Sequence, residues 1–198
     1  MNNKTLGTLA MIGAPWMLLG TLIEMAFPHL TDSWFTGVWG LLYITPWMGI
    51  LIALHRAGAL GSSHLGKALP WVLVATLTLA DLSNLMWLFG AKNKPAFFFY
   101  IDLFWPISHL LMIVVGILAI RAKVLSGWQR YIPLIMGLWL PLALGLLALM
   151  GRTTTCFLIG GLYNAAVVML LAYIARNLPD KKPGRTLKIL SFKPVLQA

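Results

Sequence analysis

Six runs of mostly apolar residues, each about 20 residues long and so able to cross a bilayer as a helix, decide what this chain can fold into. They extend from Leu6 to Phe27, Trp34 to Leu54, Leu69 to Gly90, Phe97 to Ile120, Ile132 to Met150 and Cys156 to Ala175. In hydrocarbon every backbone N–H and C=O needs a partner within the segment, which makes each run a helix. The links are short, so successive helices run antiparallel. The expectation is an all-α integral membrane protein: a compact six-transmembrane-helix up-and-down bundle over residues 1–176, with a basic tail at 177–198. Composition points the same way, because a chain of 198 residues that is 60% hydrophobic and 10% charged has more apolar surface than a soluble fold of that size can hide. The first run is longer than a signal-peptide core of about 7 to 15 residues and lacks an A-x-A site after it, so it is read as a retained span.

Charge placement gives an orientation. With the N-terminus inside, the inner segments hold Lys4, Arg56, Lys67, Arg121, Lys123, Arg130, Arg176, Lys181, Lys182, Arg185, Lys188 and Lys193, and only Lys92, Lys94 and Arg152 fall outside. That is the positive-inside pattern, and it predicts cytoplasmic termini in a plasma membrane, the inner membrane of a bacterium. Topology thus accounts for most of the net charge of +10, and nucleic acid is not an expected partner. The expected partners are the lipid bilayer, anionic headgroups under the tail segment TLKILSFKPVL, and either further copies of the chain or another membrane subunit.

Several chemistries are excluded or unsupported. Cys156 is the single cysteine, so a disulfide or CxxC redox pair is absent. No two of His29, His55, His64 and His109 are spaced as a metal-binding helix pair, and neither a metal nor a cofactor is expected. Pro15, Pro46, Pro106 and Pro141 lie inside the runs, where each deletes a backbone hydrogen bond and favours a kink.

The exception to this apolar pattern is the stretch from Asp81 to His109. An ionisable group at membrane depth costs roughly 3 kcal/mol, and such groups usually face protein or a water-filled cavity. Helical periodicity puts Thr78, Asp81 and Asn84 on one face of the third span, and Asp102, Trp105 and His109 on one face of the fourth. Matching depths at about 1.5 Å per residue sets His109 level with Thr78, Asp81 opposite Pro106, and Asn84 near Asp102. The expected site is therefore Asp81, Asn84, Asp102 and His109, with Thr78, Trp105 and Asn164 as contributors and Lys92 and Lys94 at its entrance.

A carboxylate beside a histidine can pass a proton, which suits proton-linked transport or sensing of a small solute. The alternative is a non-catalytic accessory or assembly subunit whose polar residues fix helix packing at about 0.6 kcal/mol per contact. An intramembrane enzyme using Ser83 or Ser108 ranks third, because no GxSG, HExxH or phosphate-loop pattern stands at a span end.

Overall fold

The computed structural model describes residues 1–90 and 94–180. These residues are helical, with no strand among them: α1 Asn3–Gly13, α2 Trp16–Ala26, α3 Trp34–Arg56, α4 His64–Leu88, α5 Phe97–Asp102, α6 Phe104–Ala122, α7 Ile132–Gly137, α8 Trp139–Met150 and α9 Thr154–Asn177. Five segments are long and apolar enough to cross a membrane: Asn3–Ala26, Trp34–Arg56, His64–Leu88, Phe97–Ala122 and Thr154–Asn177. Gly127–Gly137 and Trp139–Met150 meet at a bend of 49° and make a sixth only if the pair is counted as one span.

Helix starts follow the sequence. Asn2, Ser33, Ser63 and Thr153 stand at the N-caps of α1, α3, α4 and α9 and each accepts a bond from a bare backbone N–H of the first turn. Ser33 and Thr36 form a reciprocal capping box.

The breaks follow proline. A proline ring clashes with the carbonyl four residues earlier and offers no N–H to it. Pro15 accordingly separates α1 from α2. Pro106 and Pro141 are each the third residue of a helix that restarts after a single non-helical leucine, Leu103 or Leu138, so α5 and α6 together make one candidate span and α7 meets α8 at a bend. Pro46 and Pro70 are accommodated inside continuous helices.

α3 is the central helix. It packs against α1, α2, α4 and α9, and its inward stripe of Gly37, Gly40, Tyr43, Trp47, Ile50 and Leu54 is fully buried. α6 lies against α4 and α7, and α9 against α1, α2 and α8. The start of α1 and the end of α9 meet at one end of the bundle, where the Asn3 backbone N–H donates to Asp180 Oδ1 at 2.8 Å. Arg56, at the end of α3, donates there to the Met1 carbonyl at 2.8 Å.

Candidate functional site

The site is built on the α3/α4 contact. Gly37 and Gly40 lie one turn apart on α3, and α4 comes so close that a Cβ on Gly40 would collide with the Asn84 side chain and one on Gly37 with the Asn84 backbone carbonyl. This approach brings Thr45 of α3 to Asp81 of α4. Thr45 Oγ1 donates to Asp81 Oδ2 at 2.8 Å, and Asn84 Nδ2, one turn along α4, donates to Asp81 Oδ1 at 3.1 Å. Both carboxylate oxygens are thus held, and Asp81 is only 7% exposed.

On the neighbouring face of α4, the hydroxyls of Thr76 and Ser108 lie 2.9 Å apart, and Ser83 Oγ lies 3.0 Å from Asp102 Oδ1. These contacts fix the register of α4 against α5 and α6, and set Ser83 rather than Asn84 against Asp102. Ser83 Oγ is also 2.7 Å from the Ala80 carbonyl, so its one proton serves either acceptor.

Above Asp81, at the end of the bundle away from Met1, a cavity of about 480 Å³ opens among α3, α4, α5 and α6. Asp32, Asp102 and Lys94 line it together with Thr36, Asn84 and Tyr43 and the rings of Trp39, Trp87, Phe98, Phe99 and Trp105. Asn84 lines this cavity, whereas Asp81 lies behind it. Asp32 has a left-handed backbone with φ 55°, which aspartate tolerates better than most residues. Trp39 is pinned by Glu24 of α2, whose Oε1 accepts from Trp39 Nε1 at 2.9 Å and Thr36 Oγ1 at 2.6 Å. Neutral donors hold this carboxylate.

Lys94 Nζ sits over the Trp87 ring and 4.7 Å from the centre of the Phe98 ring. Desolvation against these rings lowers its pKa, and the charges of Asp32 and Asp102 push back in the opposite direction.

Below Asp81 a second opening, an apolar groove of about 650 Å³, runs along α1 and α3 from Met1 to Thr45 and Val74. Thr45, Asp81 and Asn84 therefore form a hydrogen-bonded chain whose two ends line different cavities.

His109 belongs to another group. Its ring is fully buried among Trp47, Trp105 and Trp139, with centroid separations of 4.8, 5.5 and 4.6 Å. Nδ1 lies 3.3 Å from the Met136 carbonyl. A carbonyl only accepts, so Nδ1 carries the proton and Nε2 presents a lone pair. Tyr163 Oη donates to the adjacent Ile135 carbonyl at 2.6 Å, and Trp139 Nε1 donates to the Gly160 carbonyl at 3.0 Å. Together these side chains tie α6 and α9 to the break between α7 and α8. Around them, Trp47 Nε1 and His109 Nε2 are buried without a hydrogen-bond partner among the described residues, and Tyr43 Oη is buried beside Asn164 and Trp105.

The residues singled out from the sequence thus divide into two groups. Asp81 and Asn84 are joined directly, and Asp102 and Lys94 share a cavity with Asn84 and Trp105. Asp81 and His109 share no hydrogen bond among the described residues, because α3 comes to both but with different residues: Thr45 to Asp81 and Trp47 to His109. Asn164 lies in the buried group, and Thr78 is exposed, its hydroxyl turned back to the Val74 carbonyl at 2.8 Å. Lys92 and the tail segment expected to meet anionic lipid fall outside the described residues. Sequence reasoning missed Thr45, Tyr43 and Trp47. The signal that could have found them is the Gly37, Gly40, Tyr43, Trp47 spacing, a small-residue stripe that continues into polar aromatics. Comparison with protein-family models, curated proteins and solved structures gives no match.

Proposed function

We propose that this chain is a six-span plasma-membrane protein, with both termini cytoplasmic, that admits a small solute from outside and couples its movement or sensing to a proton on Asp81. The observation that carries this reading is the Thr45–Asp81–Asn84 chain between two separate openings. A carboxylate at membrane depth that meets solvent-facing groups on one side and a lipid-facing groove on the other suits a proton acceptor that changes charge as a solute enters or leaves. Charge placement in the loops supports the orientation.

The test is proton movement in proteoliposomes carrying a trapped pH-sensitive dye, with choline and a panel of small metabolites added outside. Wild-type protein should give solute-dependent acidification, and Asp81→Asn should abolish it while the protein remains folded. Equal signals from the two proteins would remove Asp81 from the mechanism.

A second reading, a non-catalytic accessory subunit with structural polar packing, draws on the His109, Tyr163 and Trp139 bonds around the bend between α7 and α8. Under that reading Asp81→Asn lowers thermal stability and no solute moves.

A further inference from the structure

We infer that the outer cavity is a site for an organic cation, a substituted ammonium group, and that Lys94 occupies it as a tethered competitor. This deepens the solute-binding reading above and rests on it for the cavity's role.

The cavity combines the two features by which proteins hold ammonium groups: carboxylates and aromatic faces. Asp32 and Asp102 line it together with the rings of Trp39, Trp87, Phe98 and Trp105. The negative face of an aromatic ring attracts a cation, by about 0.5–1 kcal/mol when exposed and about 2 or more when desolvated. The protein already places a cation there. Lys94 Nζ lies over Trp87 and beside Phe98, and both aspartates act on its charge.

Size and charge agree with that reading. The cavity's about 480 Å³ falls in the usual range for small-ligand sites. Among the described lining residues, Lys94 is the one cationic side chain, and it faces two carboxylates.

Lys94 is the element that a merely anionic surface would not have. It sits between α4 and α5, three residues before the start of α5, with its side chain reaching back to Trp87. A ligand cation must displace it, so ligand affinity is set against a tethered group at high effective concentration.

The test uses the full-length protein in nanodiscs, with radiolabelled choline in equilibrium dialysis and competition by 3,3-dimethylbutan-1-ol, choline's uncharged carbon isostere. Choline should bind and the isostere should fail to compete. Lys94→Ala should tighten choline about tenfold, Lys94→Arg should leave affinity near wild type, and Asp102→Asn or Trp87→Leu should weaken it at least tenfold. Asp102 is exposed and Trp87 half-buried, so these variants are expected to fold; circular dichroism and thermal melting check this. The assignment is overturned if choline is not bound by wild type or Lys94→Ala, if the isostere competes equally, or if removing Lys94 leaves affinity unchanged.

Asp81→Asn separates the two proposals, because Asp81 does not line the cavity and choline binding should survive its loss. Choline binding without proton movement in the wild type would overturn the proton-linked reading and keep this site. Asp81-dependent proton movement with another solute, and no choline binding, would do the reverse.

Discussion

Thr45 Oγ1 donates to Asp81 Oδ2 across 2.8 Å, joining the central helix to the only helix that carries a carboxylate more than nine-tenths buried among the described residues. A threonine hydroxyl is the lesser partner in chemical terms, yet it closes the second side of a carboxylate whose first side is held by Asn84. Removing one partner from a buried charged group costs more than a typical hydrogen bond contributes, about 1–3 kcal/mol. Thr45→Val, which keeps the shape and deletes the donor, should lower unfolding stability in detergent by that amount. Asp81→Asn combined with Thr45→Val should cost less than the sum of the single changes, since the charge that needs the donor is gone. An additive pair would mean the two residues are not coupled.

The α3/α4 contact makes a sharper prediction about size. Gly37 has no room for a methyl group, because its Cβ would strike the backbone of Asn84 and Leu88, which cannot give way as a side chain tip can. Gly37→Ala should cost about 1–3 kcal/mol through overpacking. Gly145 in α8 has nothing within 4 Å of the same position, and Gly145→Ala should be neutral or stabilise by about 0.5–1 kcal/mol through the better helix former. Thermal unfolding of the two variants side by side tests the closeness of α3 and α4; equal melting points would refute it.

The bend between α7 and α8 is held by side chains from other helices, so its geometry should respond to them. Tyr163→Phe removes the donor to the Ile135 carbonyl and His109→Phe the donor to Met136. Each should destabilise by about 1 kcal/mol, and pairs of spin labels on α7 and α8 should report a broader distance distribution in the double variant. An unchanged distribution would assign the 49° bend to Pro141 alone.

How far the sequence revealed this arrangement depends on which physical signal each part leaves. Helix positions are legible because hydrocarbon demands long apolar runs, and the breaks before Pro106 and Pro141 are legible because proline lacks an N–H. Asp81 and Asn84 are legible as neighbours, being one turn apart on a helix. Which helix faces them is not. Lipid is as apolar as the protein core, so the buried and lipid-facing sides of α3, α4 and α6 carry nearly the same residues, and the rotation of each helix leaves little trace. For that reason the sequence sets Asp81 opposite Pro106 on the following span, in one expected site with His109, while its partner is Thr45 on the preceding one. A threonine within an apolar run gives no warning of that role.

Lys94 supplies the prediction on pH. Its ammonium is desolvated by the rings of Trp87 and Phe98, and this lowers its pKa; Asp32 and Asp102 oppose the shift. Between that lowered value and the ordinary lysine value, the unfolded chain carries a proton that the folded protein has released. Stability contributed by this group therefore rises with pH across that window and is absent below it. Asp102→Asn removes one opposing charge and should lower the Lys94 pKa further. Reductive methylation with a carbon-13 label, read by NMR and assigned through Lys94→Arg, follows the titration directly. Because a neutral amine competes poorly for an aromatic and acidic cage, choline should bind more tightly to wild-type protein as pH rises through the Lys94 titration, and Lys94→Ala should lose that dependence. A shift to higher pKa in Asp102→Asn would mean that the carboxylate does not act on Lys94, and the tethered-cation assignment would fail with it.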